Sequence, residues 1–271
     1  MKIEDKKMSE MKRTIEAVIF DWAGTTVDYG CFAPVQAFIS AFETFGITPT
    51  VEEVRKPMGM LKRDHVKTMM HMERIRAEWQ RVHNRDFTEE DIDQIYECSE
   101  KSIFKILHNY AEPKPYVVEV INTLRAQGIK IGSTTGYTDE MMAIVVPKAK
   151  ENGYEPDCWF SPNAVNNMGR PYPYMIYENM KQLKVTSVHN VIKVGDSVSD
   201  IKEGLAAGIL SVGIIEGSSC MGLSEEEYTS LSEVEKRAQC EKVRKIYEAA
   251  GADYIINNMS ELPALIERLS M

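Results

Sequence analysis

The chain has 271 residues, 44% hydrophobic and 27% charged, the balance of a folded protein with one large domain or one domain carrying an insertion. A net charge of −9 argues against non-specific nucleic-acid binding, and no apolar run approaches the length of a membrane span. Cys31, Cys98, Cys158, Cys220 and Cys240 are odd in number, widely spaced and form no C-x-x-C pair, which argues against a disulfide framework or structural zinc and for a reducing cytoplasm.

Met1 to Arg13 is charged, lacks the apolar core of a signal peptide, and reads as a loose extension. Ala17 to Phe20 then forms a short apolar run of strand character that delivers Asp21 into a loop containing Gly24, Thr25 and Thr26. Ala33 to Phe45 carries apolar residues at helical spacing, with Pro34 suited to a first turn and Gly46 to the end. Thr50 with Glu53 is a capping box for a short helix that Pro57 must end. Leu61 to about His83 is expected as one long helix, and Thr88, with Asp91 in the capping-box position, opens another to about His108. Residues 32–108 are therefore expected to be nearly all helix, inserted after the first strand.

From Pro113 the rhythm changes to alternating strand and helix. Helices are expected at Val117–Gln127, Asp139 to about Asn152, Tyr174–Leu183 and Ile201–Ala207, and Ser260 is expected to cap a last one. Strands are expected at 129–134, Cys158–Phe160, Asn190–Val194, Leu210–Ile214 and Tyr254–Ile256. Such alternation implies an α/β fold, a doubly wound, mostly parallel sheet with helices on both faces. The charged stretch Glu225–Ala250 reads as peripheral. The expected division is a core of residues 14–30 and 110–271 and a helical cap of 31–109.

Ligands of open α/β sheets bind beyond the carboxyl ends of the strands. Three such ends carry polar groups: Asp21, Thr134 with Thr135, and Asp196 with Asp200. Carboxylates from separate strand ends beside threonines suit a hard cation such as Mg²⁺, although Asp196 or Asp200 taken alone could simply cap a helix. Arg170, between Gly169 and Pro171, could reach an anion with its fork.

These pieces, in this order, resemble the haloacid dehalogenase superfamily over nearly the whole chain after residue 14. The resemblance implies a Rossmann-like core with an inserted helical cap. It makes Asp21 the nucleophile that becomes an aspartyl-phosphate, and it gives Thr135, rather than Thr134, a phosphoryl oxygen. Arg170 would neutralise the phosphoryl charge, and Asp196 would hold Mg²⁺ with support from Asp200. The pattern departs at one position. Where phosphatases and mutases of the superfamily carry a general-acid Asp, this chain has Ala23, which has no proton for a leaving alkoxide. Its carbonyl could still serve the metal.

Lys62 suggests why the acid is dispensable. Val66, Met69 and Met70 follow it at helical spacing, so its face is otherwise apolar, and desolvation there would free an amine for Schiff-base chemistry. An imine at Lys62 makes carbon a tolerable leaving group from phosphorus, and His65 could assist proton transfer. The segments Phe20–Cys31, Lys56–Lys62 with His65, Gly132–Thr138 and Gly169–Pro173 closely resemble the phosphonoacetaldehyde hydrolase family. That resemblance implies cleavage of a small-molecule phosphonate to acetaldehyde and phosphate. It also implies Met58, Cys31 and Tyr137 around the pocket, a Mg²⁺ cofactor and a homodimer paired through the caps. The alternatives are a phosphatase or mutase acting on a phosphate ester, with Lys62 a specificity contact, and a non-catalytic phosphate-binding protein.

Overall fold

The computed structural model describes residues 14–58 and 60–270, so the expected N-terminal extension lies outside the described residues. Six strands form one sheet in the order β3-β2-β1-β4-β5-β6. They are β1 (Ala17–Phe20), β2 (Lys130–Thr134), β3 (Cys158–Phe160), β4 (Val191–Gly195), β5 (Leu210–Ile214) and β6 (Tyr254–Ile256). Every pairing is parallel, so the sheet is wholly rather than mostly so. β1 is central and buried on both faces, which explains its unbroken apolar run. Val18 and Phe20 face one core layer, Ala17 and Ile19 the other.

Between β1 and β2 the chain forms α1 (Phe32–Thr44), α2 (Val51–Arg55), α3 (Lys62–Met70), α4 (Glu73–His83) and α5 (Glu89–Ile106). Val35, Phe38, Phe42, Val66, Met69, Ile75 and Trp79 share a core of their own within this insert. Both expected capping boxes form, Thr50 with Glu53 and Thr88 with Asp91.

The single helix expected over 61–83 is instead two, parted at His71 and Met72, where Met72 turns extended. The reason is phase. Val66, Met69 and Met70 define one face, whose continuation would bring Glu73, Arg74 and Ala77 to the core. The apolar residues that follow are Ile75 and Trp79, and only a break lets both sets face the same interior.

The remaining helices are α6 (Val117–Ala126), α7 (Asp139–Glu151), α8 (Tyr174–Leu183), α9 (Val198–Ala207), α10 (Glu225–Ser230), α11 (Glu233–Ala250) and α12 (Leu262–Ser270). α9 begins earlier than the expected Ile201, because Ser197 and Asp200 form a capping box. The last helical segment is capped by Asn258, whose side chain accepts from the Ser260 N–H, and not by Ser260 itself. No helix among the described residues is long and apolar enough to cross a membrane.

Candidate active site

The parallel register brings the ends of β1, β2 and β4 to one edge, and the side chains just beyond them converge. The Asp21 N–H donates to the Val194 carbonyl at 3.0 Å, which fixes the start of its loop against β4. Thr25, Thr26 and Val27 then donate to the Trp22 carbonyl, curling the loop tightly. Gly24 sits at φ +83°, where a Cβ would collide with the Asp196 carboxylate, so only glycine lets the two loops close on each other. Thr25 Oγ1 donates to Asp196 Oδ1 at 3.2 Å and the Ser219 N–H to Asp196 Oδ2 at 2.7 Å.

Carboxylate oxygens of Asp21, Asp196 and Asp200 lie within 4.8 Å of one another, and all three residues are buried. Burial, with the neighbouring Asp21 and Asp200 charges adding to it, pushes the Asp196 carboxyl up to about 7. A divalent cation placed among hard oxygen donors would relieve that repulsion, so the residues fit one. Asp200 is the least free of the three. Its Oδ2 accepts from the Ser197 N–H and hydroxyl, and its Oδ1 lies 3.1 Å from both Arg170 Nη1 and Lys193 Nζ. Burial opposes its charge, but Arg170 and Lys193 hold it below the usual carboxylate range. Helix capping and charge compensation thus account for both its oxygens.

Arg170 reaches the site from an irregular segment whose Arg170–Pro171 peptide is cis. Its Nη2 donates to Asp21 Oδ1 at 2.5 Å and to the Thr134 carbonyl and hydroxyl at 3.0 Å, and its Nε to Glu203 Oε2 at 3.1 Å. The Thr134 hydroxyl also donates to Glu203 and accepts from Lys193 at 2.8 Å. Thr134 is therefore committed to this charge network, whereas Thr135 lines the cavity and accepts from the Tyr137 N–H.

The network's Lys193 and Glu203, both fully buried, were not anticipated from sequence. The signals existed. A lysine in the middle of Val191-Ile192-Lys193-Val194 must find carboxylates, and Glu203 shares a helix face with Asp200. Nor is the stretch 225–250 wholly peripheral, since the Tyr247 hydroxyl donates to the Asp196 and Ile214 carbonyls at 2.5 and 3.0 Å.

The cavity over Asp21 and Asp196 is closed by Met58, Met60 and Lys62 from the insert, with Cys31, Pro34 and Tyr137 along its wall and Ala23 beside Asp21. Lys62 Nζ lies 5.7 Å from the centre of the Phe38 ring and 5.6 Å from that of Tyr137. Enclosure lowers its pKa, with the Asp21 charge opposing the shift and Arg170 adding to it. Burial pushes the Cys31 thiol and the Tyr137 hydroxyl up, so both stay protonated.

His65 is not among the residues lining the cavity. It is fully buried, stacks on Phe38 at 4.1 Å, and neither ring nitrogen has a hydrogen-bond partner. Burial and the nearby Lys62 charge push it down to about 3, so it is a neutral ring packed on Phe38.

Comparison with known proteins agrees with this geometry. Residues 15–208 match the family model of haloacid dehalogenase-like hydrolases. A phosphonoacetaldehyde hydrolase of Lysinibacillus sphaericus is 51% identical over 256 residues, covering 94% of this chain and 95% of that one. One from Bacillus cytotoxicus is 53% identical over 253 residues, covering 93% and 96%. The crystal structure of a phosphonoacetaldehyde hydrolase-like protein from Oleispira antarctica superposes with a TM-score of 0.92 at 36% identity, covering 96% of this chain and 94% of that chain. With one Asp at the end of β1, Ala23 beside it and a lysine overhead, the chain belongs to the phosphonoacetaldehyde hydrolase family of haloacid dehalogenase-like enzymes.

Proposed function

We propose that the protein hydrolyses phosphonoacetaldehyde to acetaldehyde and phosphate, with Lys62 and Asp21 as its two catalytic residues. The observation that carries this reading is the facing of the two groups across one cavity, with Ala23 where an acid for an ester oxygen would stand. Lys62, its ammonium disfavoured by enclosure, adds to the aldehyde carbon and expels water, forming a protonated imine. An Asp21 oxygen attacks phosphorus. The P–C electron pair moves into the imine, giving an enamine on Lys62 and a phosphoryl group on Asp21. The enamine takes a proton at carbon and is hydrolysed to acetaldehyde, which frees Lys62. Water then cleaves the aspartyl-phosphate, with the freed Lys62 amine as base, since Lys62 lines the cavity and His65 does not.

Arg170, already on Asp21, and Thr135 hold phosphoryl oxygens in this scheme. Cys31, Met58 and Tyr137 shape the pocket around the aldehyde, and His65 acts only through its packing on Phe38. Mg²⁺, held by Asp21, the Ala23 carbonyl and Asp196, with Asp200 contributing through water, would neutralise charge on the phosphoryl group. We assign residues 31–109 the role of a cap over a core of 14–30 and 110–271, and two copies a homodimer paired through their caps. The five free cysteines favour a cytoplasmic setting, where the reaction would be the second step of 2-aminoethylphosphonate breakdown.

The test is acetaldehyde release from phosphonoacetaldehyde with and without Mg²⁺, followed by borohydride quenching and peptide mapping. Metal-dependent acetaldehyde together with a reduced adduct on Lys62 is expected. Phosphate released from ordinary phosphomonoesters, with no acetaldehyde, would overturn the reading.

A further inference from the structure

The insert sends a second cation towards the core. Arg55 ends α2, shortly before Met58 and Lys62, and its Nη1 donates to the carbonyls of Gly30 at 2.7 Å and Ser219 at 3.2 Å. Those carbonyls belong to different core loops. The Gly30 loop follows β1 and runs directly into Cys31. The Ser219 loop follows β5 and supplies the N–H that holds Asp196 Oδ2. The guanidinium lies 4.8 Å from the centre of the Phe32 ring and against Gly222, where a Cβ would come within 2.9 Å of Nε. Its Nε and Nη2 are buried without a hydrogen-bond partner, so this placement is costly for a guanidinium.

The same two loops are gripped a second time from within the core. Lys114 Nζ donates to the Gly24 carbonyl and, at 2.7 Å, to that of Glu216. It too is seated on a glycine of the β5 loop, Gly217, where a Cβ would come within 2.8 Å of Nζ. Lys114 joins core to core. Arg55 starts from the insert, so it alone of the two links the Lys62-bearing segment to the loop that orients Asp196.

We propose that Arg55 is a positioning residue for the reaction, setting where Lys62 stands relative to Asp21 and Asp196 by holding the Gly30 and Ser219 carbonyls. This rests on the Lys62–Asp21 reading above. Imine formation needs Lys62 and an aldehyde. Cleavage of the P–C bond needs Lys62 and Asp21 in register across the cavity. Arg55→Met therefore spares the first and slows the second.

The experiment measures kcat, the Mg²⁺ concentration for half activation, and borohydride trapping at Lys62 during turnover, each per folded molecule with thermal unfolding as control. For Arg55→Met, kcat falls about tenfold to a hundredfold, the cost of a displacement on the order of 1 Å between reacting groups. The trapped fraction is kept or rises, more Mg²⁺ is needed because Ser219 drifts from Asp196, and Arg55→Lys recovers part of the rate. If Arg55→Met does not fold, Arg55→Gln is read by the same measurements. Wild-type kcat per folded molecule, or kcat and trapping falling together without rescue by lysine, overturns the role of Arg55 alone. Failure to trap wild-type Lys62 overturns the reaction itself, so the two failures are distinguishable.

Discussion

The two sides of the cavity treat charge in opposite ways. On the sheet side Arg170 and Lys193 are set among Asp21, Asp200 and Glu203, with ion-pair distances between 2.5 and 3.3 Å. On the insert side Lys62 lies between two aromatic rings, with a neutral His65 stacked behind one of them. Dense mutual compensation fixes each of these groups in place, which suits the binding of a doubly charged phosphoryl group. Enclosure does the reverse for Lys62, because the loss of water lowers its pKa by more than the nearby Asp21 charge raises it. One pocket thus joins a dense ion-pair network on its sheet side to a lysine enclosed by aromatic rings on its insert side.

The strongest way to separate the halves is Asp21→Asn. It should lower acetaldehyde release by on the order of 10⁴-fold or more, as loss of a nucleophile does, while borohydride still traps the substrate on Lys62. Loss of both together would mean that the halves do not act independently. Replacing each lysine by methionine sharpens the contrast in stability. Lys193→Met removes one of the two cations shared by the buried Asp200 and Glu203, leaving them to Arg170, and should cost about 3–5 kcal/mol in urea denaturation. Lys62→Met removes a cation between two rings and should stay within about 1 kcal/mol of the parent, on the stabilising side, while abolishing trapping. Equal costs for the two lysines would erase the distinction.

Much of this was legible because the informative signals were local. Asp21, Thr135, Arg170 and Asp196 each follow a strand or sit in a turn whose residue types announce it, and parallel topology then brings strand ends together. Lys62 was legible from the apolar spacing of Val66, Met69 and Met70, all fully buried. What escaped notice depends on contacts far apart in sequence. The grips of Arg55 and Lys114 are made to main-chain carbonyls, which no residue type advertises. The break after Met70 was present as a phase shift in the apolar pattern, but neither glycine nor proline marks it. His65 reads in sequence as a group near Lys62; only packing reveals that it is buried against Phe38 and does not line the cavity.

Asp28 offers the gentlest test, because it is a buried carboxylate of the sheet side left outside the ion-pair network. Its two oxygens accept from the N–H groups of Phe32 and Ala33 at 2.9 and 3.0 Å, at the start of α1. Burial nevertheless pushes its pKa up to about 6, against those donors and the more distant Arg55 and Lys114 charges. Asp200, equally buried, is shifted the other way by Arg170 and Lys193. A carboxyl whose folded pKa lies above the unfolded value of 3.8 binds its proton more tightly when folded. The stability this contributes is complete below the unfolded pKa and is lost as pH rises through 6. Asp28→Asn removes that titration, so between pH 4 and 7 the metal-free variant should lose less stability than the parent, by up to about 3 kcal/mol. Urea denaturation at several pH values in the presence of a chelator measures the difference. Parallel slopes would mean that the two N–H donors, and not burial, govern Asp28, and that the contrast with Asp200 is one of degree.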